Sequence, residues 1–544
     1  MSGLSPVFTP PADRRNALDR AHVGDIQGAL GTVPAFDTSP RLTARRKLAT
    51  LLAILGPGVV VMIADNDAGT VSVFAQAGQN HGMRLLWVLL ALCPALYVTQ
   101  EMVARLGAVT GSGHARLTLE RFGRVWCAFS VADLLVLNVA VLITEFIGVA
   151  LALGYFGIPA GVSVPIAAIG LMAITTAGSF RRWERAMGLL IVANLALIPL
   201  ALFIHPHAGS VVGGLVPALR GGPARSTVLL LLALVGTTIA PAQIFFQQSN
   251  VVDKRITPRW LSYERIDTAV GAILFSACAA AVLTVSAAAL AGTPQRGHFT
   301  DAGAVTSAIA VHFGPAAGAV FAIALLDASL LGACVVSLSG SYAVSEVLGV
   351  KHSLHRSWRD ARTFHACFAG AVAVAAAIVL IPHLPLGALT TLVQALAGLL
   401  VPSTLVLLLL LCNDTDLLGP LTNGRWLNAG GLVVTVGALT LSLMLALISL
   451  FPHVGIELAL SVSVGLLALA AAALAVSHAR ERRPPGPADE LTAWQRLTWS
   501  APLLELLAAP PRTRTRVLTL AVLRVYIAVI SVVLLLKLVG ALPG

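Results

Sequence analysis

Ala64-Asp65-Asn66-Asp67-Ala68-Gly69-Thr70 interrupts an otherwise apolar run from about Leu51 to Ala77. Two acids and an asparagine at bilayer depth cost several kcal/mol together, since a single central Asp costs roughly 2.5–3.5 kcal/mol. Residues kept at that cost mark a site. Gly56-Pro57-Gly58 upstream and Gly69 within the stretch weaken the helix on both sides, so the backbone can unwind and bare carbonyls beside the carboxylates. An unwound membrane helix with that chemistry is suited to a cation.

Composition sets the class. The chain has 544 residues, 57% hydrophobic and 11% charged, with a mean hydropathy of +0.86. This excludes a soluble globular protein and implies a polytopic all-α membrane protein. The formal charge of +11 does not imply nucleic acid, because Lys and Arg fall in short connections between apolar runs and not on a basic module. The lipid bilayer is the expected partner. The cysteines Cys93, Cys127, Cys278, Cys334, Cys367 and Cys412 lie in or at the ends of apolar runs without CxxC spacing, so neither a disulfide framework nor a zinc site is implied. No Walker motif or nucleophile–base set is present, which argues against ATP-driven pumping and against an enzyme.

Runs of about 20 apolar residues predict thirteen spans, at roughly 50–77, 84–107, 125–155, 160–178, 185–205, 226–252, 266–292, 314–349, 364–382, 387–412, 427–451, 455–477 and 517–540. Basic residues alternate between connections as the positive-inside rule requires. They cluster at Arg41–Lys47, Arg116–Arg124, Arg181–Arg182, Lys254–Arg259, Lys351–Arg362 and Arg480–Arg514, whereas the opposite side carries chiefly Arg220 and Arg225. The N-terminus is expected to be cytoplasmic and the C-terminus outside. Residues 1–48 have no apolar core and read as a cytoplasmic tail, not a signal peptide. Residues 479–516 read as a basic linker containing Pro484-Pro485-Gly486-Pro487, Trp494 and Trp499, either solvated or lying on anionic lipid.

A second interruption falls in the sixth segment, Leu234-Val235-Gly236-Thr237-Thr238-Ile239-Ala240-Pro241-Ala242-Gln243. Pro241 removes a backbone donor and clashes with the preceding turn, freeing carbonyls near Thr237 and Thr238. Segments one and six hold equivalent places in two five-span halves, 49–205 and 226–412. Five is odd, so the halves run through the membrane in opposite directions. Paired interruptions in inverted repeats point to a midplane substrate site in secondary transporters, and the partially negative C-terminal half-helix ends suit a cation. Spans eleven and twelve, 413–478, and the last, 517–544, are accessory to this 49–412 core.

These residues resemble a family, the NRAMP divalent-metal transporters. Asp67-Ala68-Gly69-Thr70 resembles the family's first-helix Asp-Pro-Gly-Asn and stands at a similar distance before Gly82-Met-Arg-Leu-Leu-Trp87. Ala104-Arg-Leu-Gly-Ala-Val-Thr-Gly111, Glu145-Phe-Ile-Gly148, Ser339-Gly-Ser-Tyr-Ala343 and Gln394 eight residues before Pro402 extend the resemblance over about residues 45–450. It implies a leucine-transporter-like 5+5 inverted repeat in a bacterial inner membrane, with a divalent cation as substrate and no cofactor.

The departures are chemical. The family's sixth-helix Met-Pro-His reads Ala240-Pro241-Ala242, and the first-helix Asn reads Thr70. Methionine is a soft ligand that favours transition metals; without it the site is all oxygen. The His and a third-helix Asp, which aligns with Leu142, belong to the proton route of proton-coupled members, and both are replaced. The chain thereby resembles the divergent NRAMP-related magnesium transporters. Mg²⁺ prefers octahedral oxygen and keeps several waters, and Ala and Thr leave room for them. Mn²⁺ shares that ligand taste.

Asp67 is the expected central anionic ligand, with helix capping as its alternative role. Asn66 and Asp65 are candidates for metal or hydration contacts, Thr70 and Gln243 for outer oxygens, Ala240 for a backbone carbonyl and Thr237 for a carbonyl or hydroxyl. Gln394 matches a metal-contacting Gln, or is a helix-to-helix hydrogen-bonding residue. Asp133, Glu145 and Asp327 are further intramembrane acids. The expected function is uptake of Mg²⁺ and/or Mn²⁺ by alternating access without proton coupling. The alternatives are a proton-coupled Mn/Fe transporter, a Na⁺-coupled amino-acid transporter, which Asp65 and Asp67 disfavour by repelling a carboxylate, and a metal sensor that binds without turnover.

Overall fold

The computed structural model describes residues 16–35, 37, 39–217, 225–382, 386–451, 453–479, 499–507, 510 and 513–541. The chain is helical apart from one hairpin. The N-terminal segment is docked, with a 3-10 turn at Arg20–His22 capped by Asp19, then β1 (Ile26–Gly28) antiparallel to β2 (Gly31–Val33), Ile26 opposite Val33. The first span follows in three pieces: α1 (Ala44–Ile54), α2 (Pro57–Ala64) and α3 (Ala68–His81). Thr43 caps α1, and the axis turns by 48° at Gly56, whose φ of +156° only glycine adopts readily.

The first half continues through α4 (Leu86–Thr110), α5 (His114–Phe122), α6 (Arg124–Tyr155), α7 (Ala160–Thr175), α8 (Phe180–Asn194), α9 (Leu197–Phe203) and α10 (Ala208–Gly214). The second half holds α11 (Arg225–Thr238), α12 (Pro241–Asp253), α13 (Leu261–Leu290), α14 (Ala302–Phe313), α15 (Pro315–Leu348), α16 (Arg362–Val379) and α17 (Leu386–Cys412). After it come α18 (Thr415–Leu418), α19 (Arg425–Leu450), α20 (Ile456–Ala479) and α21 (Arg514–Ala541). Helix ends fall where the sequence places them: α4 and α15 stop at Gly111 and Gly349, both with φ of +65°.

Each of the thirteen expected spans has a helical counterpart. By length and apolarity, ten helical runs among the described residues suffice to cross a membrane, or eleven with the bent pair α1–α2. The smaller number arises because α3 and α4 form one continuous run, and because α7 and the described apolar part of α20 are short. Helix α1 begins before residue 49, so the expected tail boundary falls inside a helix. Of the expected linker, Trp494 and Pro484–Pro487 lie outside the described residues, whereas Trp499 packs close against Gly419.

The centre of the bundle is α13 across α2, α3 and α4, and α15 along α6. Small residues allow these approaches. A Cβ at Gly58 would come within 2.7 Å of the Thr268 backbone nitrogen, one at Gly271 within 2.8 Å of Met62, and one at Gly78 would overlap the Leu283 carbonyl. Glycine thus brings the unwound part of the first span against α13.

Candidate metal site

Helix α2 ends at Ala64 and α3 starts at Ala68, leaving Asp65-Asn66-Asp67 between two helix ends. Two contacts hold the break open. Asp67 caps α3, its Oδ1 accepting the Thr70 N–H at 2.7 Å. The Ala68 N–H, which a continuous helix would give to the Ala64 carbonyl, goes to Glu145 Oε2 of α6 at 3.1 Å. Glu145 is fully buried and lies beside Asp67. Gly332 of α15 closes over both acids, for a Cβ there would come within 2.8 Å of Asp67 Cβ and 2.9 Å of Glu145 Oε2.

Asp67 therefore does act as a helix cap, with Thr70, Gly69 and Glu145 all against its carboxylate. Asp65 sits at the C-terminal, partially negative end of α2. It is 5% exposed, and its Oδ2 has no hydrogen-bond partner among the described residues. The same holds for Asn66 Oδ1, Thr70 Oγ1 and Glu145 Oε1, while Asn66 Nδ2 donates to the Phe275 carbonyl at 3.3 Å. Buried polar atoms without partners are costly. A hard cation satisfies several of these oxygens at once.

From α17, Gln394 reaches into the break: a Cβ on Gly69 would overlap its Nε2. The side chain is 3% exposed, with Nε2 unpartnered among the described residues. A flip of the amide exchanges Nε2 and Oε1, so Gln394 can offer an N–H towards Asp67 or an oxygen to a cation.

The sixth span contributes differently. Ala240 is extended and caps α12, its carbonyl accepting the Gln243 N–H at 3.2 Å. Pro241 has no N–H for the Thr237 carbonyl, but the Thr237 and Thr238 hydroxyls return to the Leu234 carbonyl at 3.2 and 2.8 Å. Gln243 Oε1 accepts from Gln100 Nε2 of α4 at 3.1 Å. Of the expected donors, the structure brings Asp67, Thr70 and Gln394 together with Asn66 at the break, whereas the Gln243 oxygen, the Ala240 carbonyl and the Thr237 hydroxyl are engaged elsewhere. Among the described residues no group of three or more His, Cys, Asp or Glu could hold a metal.

Sequence reasoning did not find Gly332 or Gln100. A glycine in an apolar helix carries no local sign of what it faces, and Gln100 only gains meaning opposite Gln243.

The profile of the Nramp family, "Natural resistance-associated macrophage protein-like", matches residues 58–448. The divalent metal cation transporter MntH of Ralstonia nicotianae is 29% identical over 395 residues, covering 70% of this chain and 87% of that protein. MntH of Bacillus subtilis is 29% identical over 455 residues, 81% of this chain and 98% of its own length. Among solved structures, a manganese transporter of Eremococcus coleocola superposes with a TM-score of 0.62 at 20% identity, covering 82% of this chain and 96% of that one. That likeness shows the fold, the leucine-transporter-like bundle expected from the sequence.

Proposed function

This chain belongs to the Nramp family and is a divalent metal cation transporter, and from that premise we propose that it takes up Mg²⁺ and Mn²⁺ by alternating access without moving protons. The observation that carries the reading is the residue at the second helix break. Ala240 stands there with a methyl group and no soft donor, its carbonyl accepting the Gln243 N–H. Oxygen and amide groups at the first break complete the donor set, which suits hard cations that retain water. Asp67 and Asp65 supply the charge; Asn66, Thr70 and Gln394 orient the ion or its waters, and Gln243 stands further out against Gln100.

Coupling follows from the same positions. Buried Ala242 and Leu142 carry no titratable group. Concentration and membrane potential then drive entry: two charges moving inward at 100 mV gain about 4.6 kcal/mol, at roughly 2.3 kcal/mol per charge. The N-terminal face is the cytoplasmic one, by the distribution of Lys and Arg.

The test is flux into proteoliposomes carrying one dye for the metal and one for pH. Mn²⁺ entry that Mg²⁺ competes away, accelerated by an inside-negative potential and without lumenal acidification, is the expected result. Acidification with the metal's own concentration dependence returns the chain to proton-coupled transport.

A further inference from the structure

Helix α21 (Arg514–Ala541) lies beyond residues 58–448, the stretch the family profile matches, yet one of its side chains reaches the helix that carries Gln394. Tyr526 is 8% exposed, and its hydroxyl donates to the Leu399 carbonyl of α17 at 2.6 Å. Ser442 Oγ of α19 stands 2.5 Å from the same hydroxyl and 3.4 Å from the same carbonyl. Three helices thus meet in one polar contact within an apolar surround, where each hydroxyl would be costly without the other partners.

The carbonyl they hold lies at the weakest point of α17. Pro402 falls inside that helix; it has no N–H for the Gly398 carbonyl, and its ring crowds the preceding turn. Gly398 faces Gly236 of α11, where a Cβ would come within 2.8 Å of the Gly398 Cα, four residues before Ala240 at the second break. One turn before Gly398, Gln394 meets Gly69 at the first break. Close packing does not fill this region, for an apolar cavity of about 180 Å³ lies between α4, α11, α17 and α19, lined in part by Gly236, Gly398, Val401, Gly437 and Ser442. A helix that lacks a backbone bond and borders open volume can bend there. A directional hydrogen bond at that point sets which way it lies.

We propose that Tyr526, seconded by Ser442, is a positioning residue for the metal site: its hydroxyl fixes α17 at the Pro402 weak point and thereby sets the Gln394 amide against the first break. Leu399 follows Gln394 by five residues, about 7.5 Å along the helix axis, so a swing at the weak point displaces the amide from Asp67. Tyr526 reaches no atom at the break and acts through α17. The last span, outside the matched core, then takes part in cation binding.

The inference rests on Gln394 belonging to the metal site, and its first test needs no metal. Hydrogen–deuterium exchange is followed in the purified full chain in detergent. Tyr526→Phe, which removes only the hydroxyl, is expected to speed exchange over residues 392–401 several-fold, and Ser442→Ala to do so by less. Arg516 fastens the start of α21 by donating to the Arg121 carbonyl at 2.7 Å, and Arg516→Gln is expected to leave exchange over 392–401 unchanged. Calorimetric titration with Mn²⁺ is then expected to show binding roughly fivefold weaker in Tyr526→Phe, the order of one net hydrogen bond. In a Gln394→Ala background, Tyr526→Phe is expected to weaken binding no further. In proteoliposomes the KM for Mn²⁺ entry should rise in Tyr526→Phe while the maximal rate holds. Unchanged exchange over 392–401 in both Tyr526→Phe and Ser442→Ala overturns the proposal. A weakening that persists in the Gln394→Ala background, or an equal one in Arg516→Gln, overturns the route through Gln394. Faster exchange in Tyr526→Phe with no Mn²⁺ binding by the wild-type chain counts against the metal site and leaves the brace standing.

Discussion

The end of the bundle that carries the N-terminal strap and the break in the first span both bury acids, and they surround them in opposite ways. At the strap end, Lys254 Nζ bonds Glu184 Oε1 at 2.6 Å and the Ile54 and Leu55 carbonyls at 2.7 and 2.9 Å, while Glu184 Oε2 accepts the Ala29 N–H at 2.5 Å. Asp267 takes the N–H groups of Gly56, Gly58 and Val59 at 3.1, 2.6 and 3.3 Å, capping α2. Asp253 accepts from Tyr342, Ser353 and Leu354 at 2.6, 2.5 and 2.8 Å. At the break, Asp65, Asn66, Thr70, Glu145 and Gln394 each keep a polar atom without a partner among the described residues. Acids held by several donors fasten helices to one another. Those at the break keep oxygens that no neighbouring donor among the described residues has taken.

The widest separation of the two regions is expected from Asp67→Asn beside Asp67→Ala. Both remove the charge, and both are expected to reduce metal flux in proteoliposomes to the level of empty vesicles. Asn preserves the cap on α3 and Ala loses it, so the thermal midpoint should hold in the first and correspond to about 1 kcal/mol lost in the second. Near-normal flux in either variant would erase the comparison.

Lys254→Met is the counterpart at the strap end. It leaves Glu184, 3% exposed, as a buried carboxylate without its cation, and a loss of roughly 3–5 kcal/mol is expected. The double variant Lys254→Met with Glu184→Leu should recover part of that loss. Unfolding in detergent measures both, and additivity of the two substitutions would show that the pair is not coupled.

A smaller effect is expected from pH at the strap itself. Burial works to raise the Asp19 carboxyl, but the Arg356 guanidinium, bonded to both oxygens at 2.6–3.0 Å, and the Ala21 N–H together hold it at about 2, below the ordinary 3.8. A depressed carboxylate stabilises the fold fully above pH 3.8, and that contribution is lost as pH falls from there towards 2, on the order of 2 kcal/mol. Pepsin, active across this window, should therefore cleave the strap faster as pH falls in the wild-type chain, beyond its pH dependence on an unfolded control, and show no such extra rise in Asp19→Asn.

The finest test sharpens the chemistry of the break. Ala240→Met adds a thioether and fills space that hydrating water would occupy, so Mg²⁺ should compete less well against Mn²⁺ uptake, by about tenfold for a 1.4 kcal/mol change in relative affinity. Equal competition in both proteins would show that softness at this position does not select the ion.

Both interruptions were legible in the sequence because each breaks a local rule: acids within an apolar run, and a proline inside a helix. The family resemblance added Glu145 and Gln394, and the structure gives both a physical place, one on the Ala68 N–H and the other against Gly69. The expected freedom of the Thr237 hydroxyl and the Gln243 oxygen was less readable, because a threonine can turn back to its own helix and a glutamine can meet another across the bundle.

Length, apolar periodicity and the position of Gly, Pro and Asp by themselves determined that this chain is a helical membrane protein with two broken spans, since each of those signals acts within one or two turns. Which buried acids are satisfied depended on distant partners. Asp267 lies 209 residues from Gly58 and accepts its N–H, a partner that no local pattern announces. Hydrogen bonding saturates at short range and takes its partners from whichever helix arrives, so only the tertiary structure decides which buried acids of this protein are held by several donors.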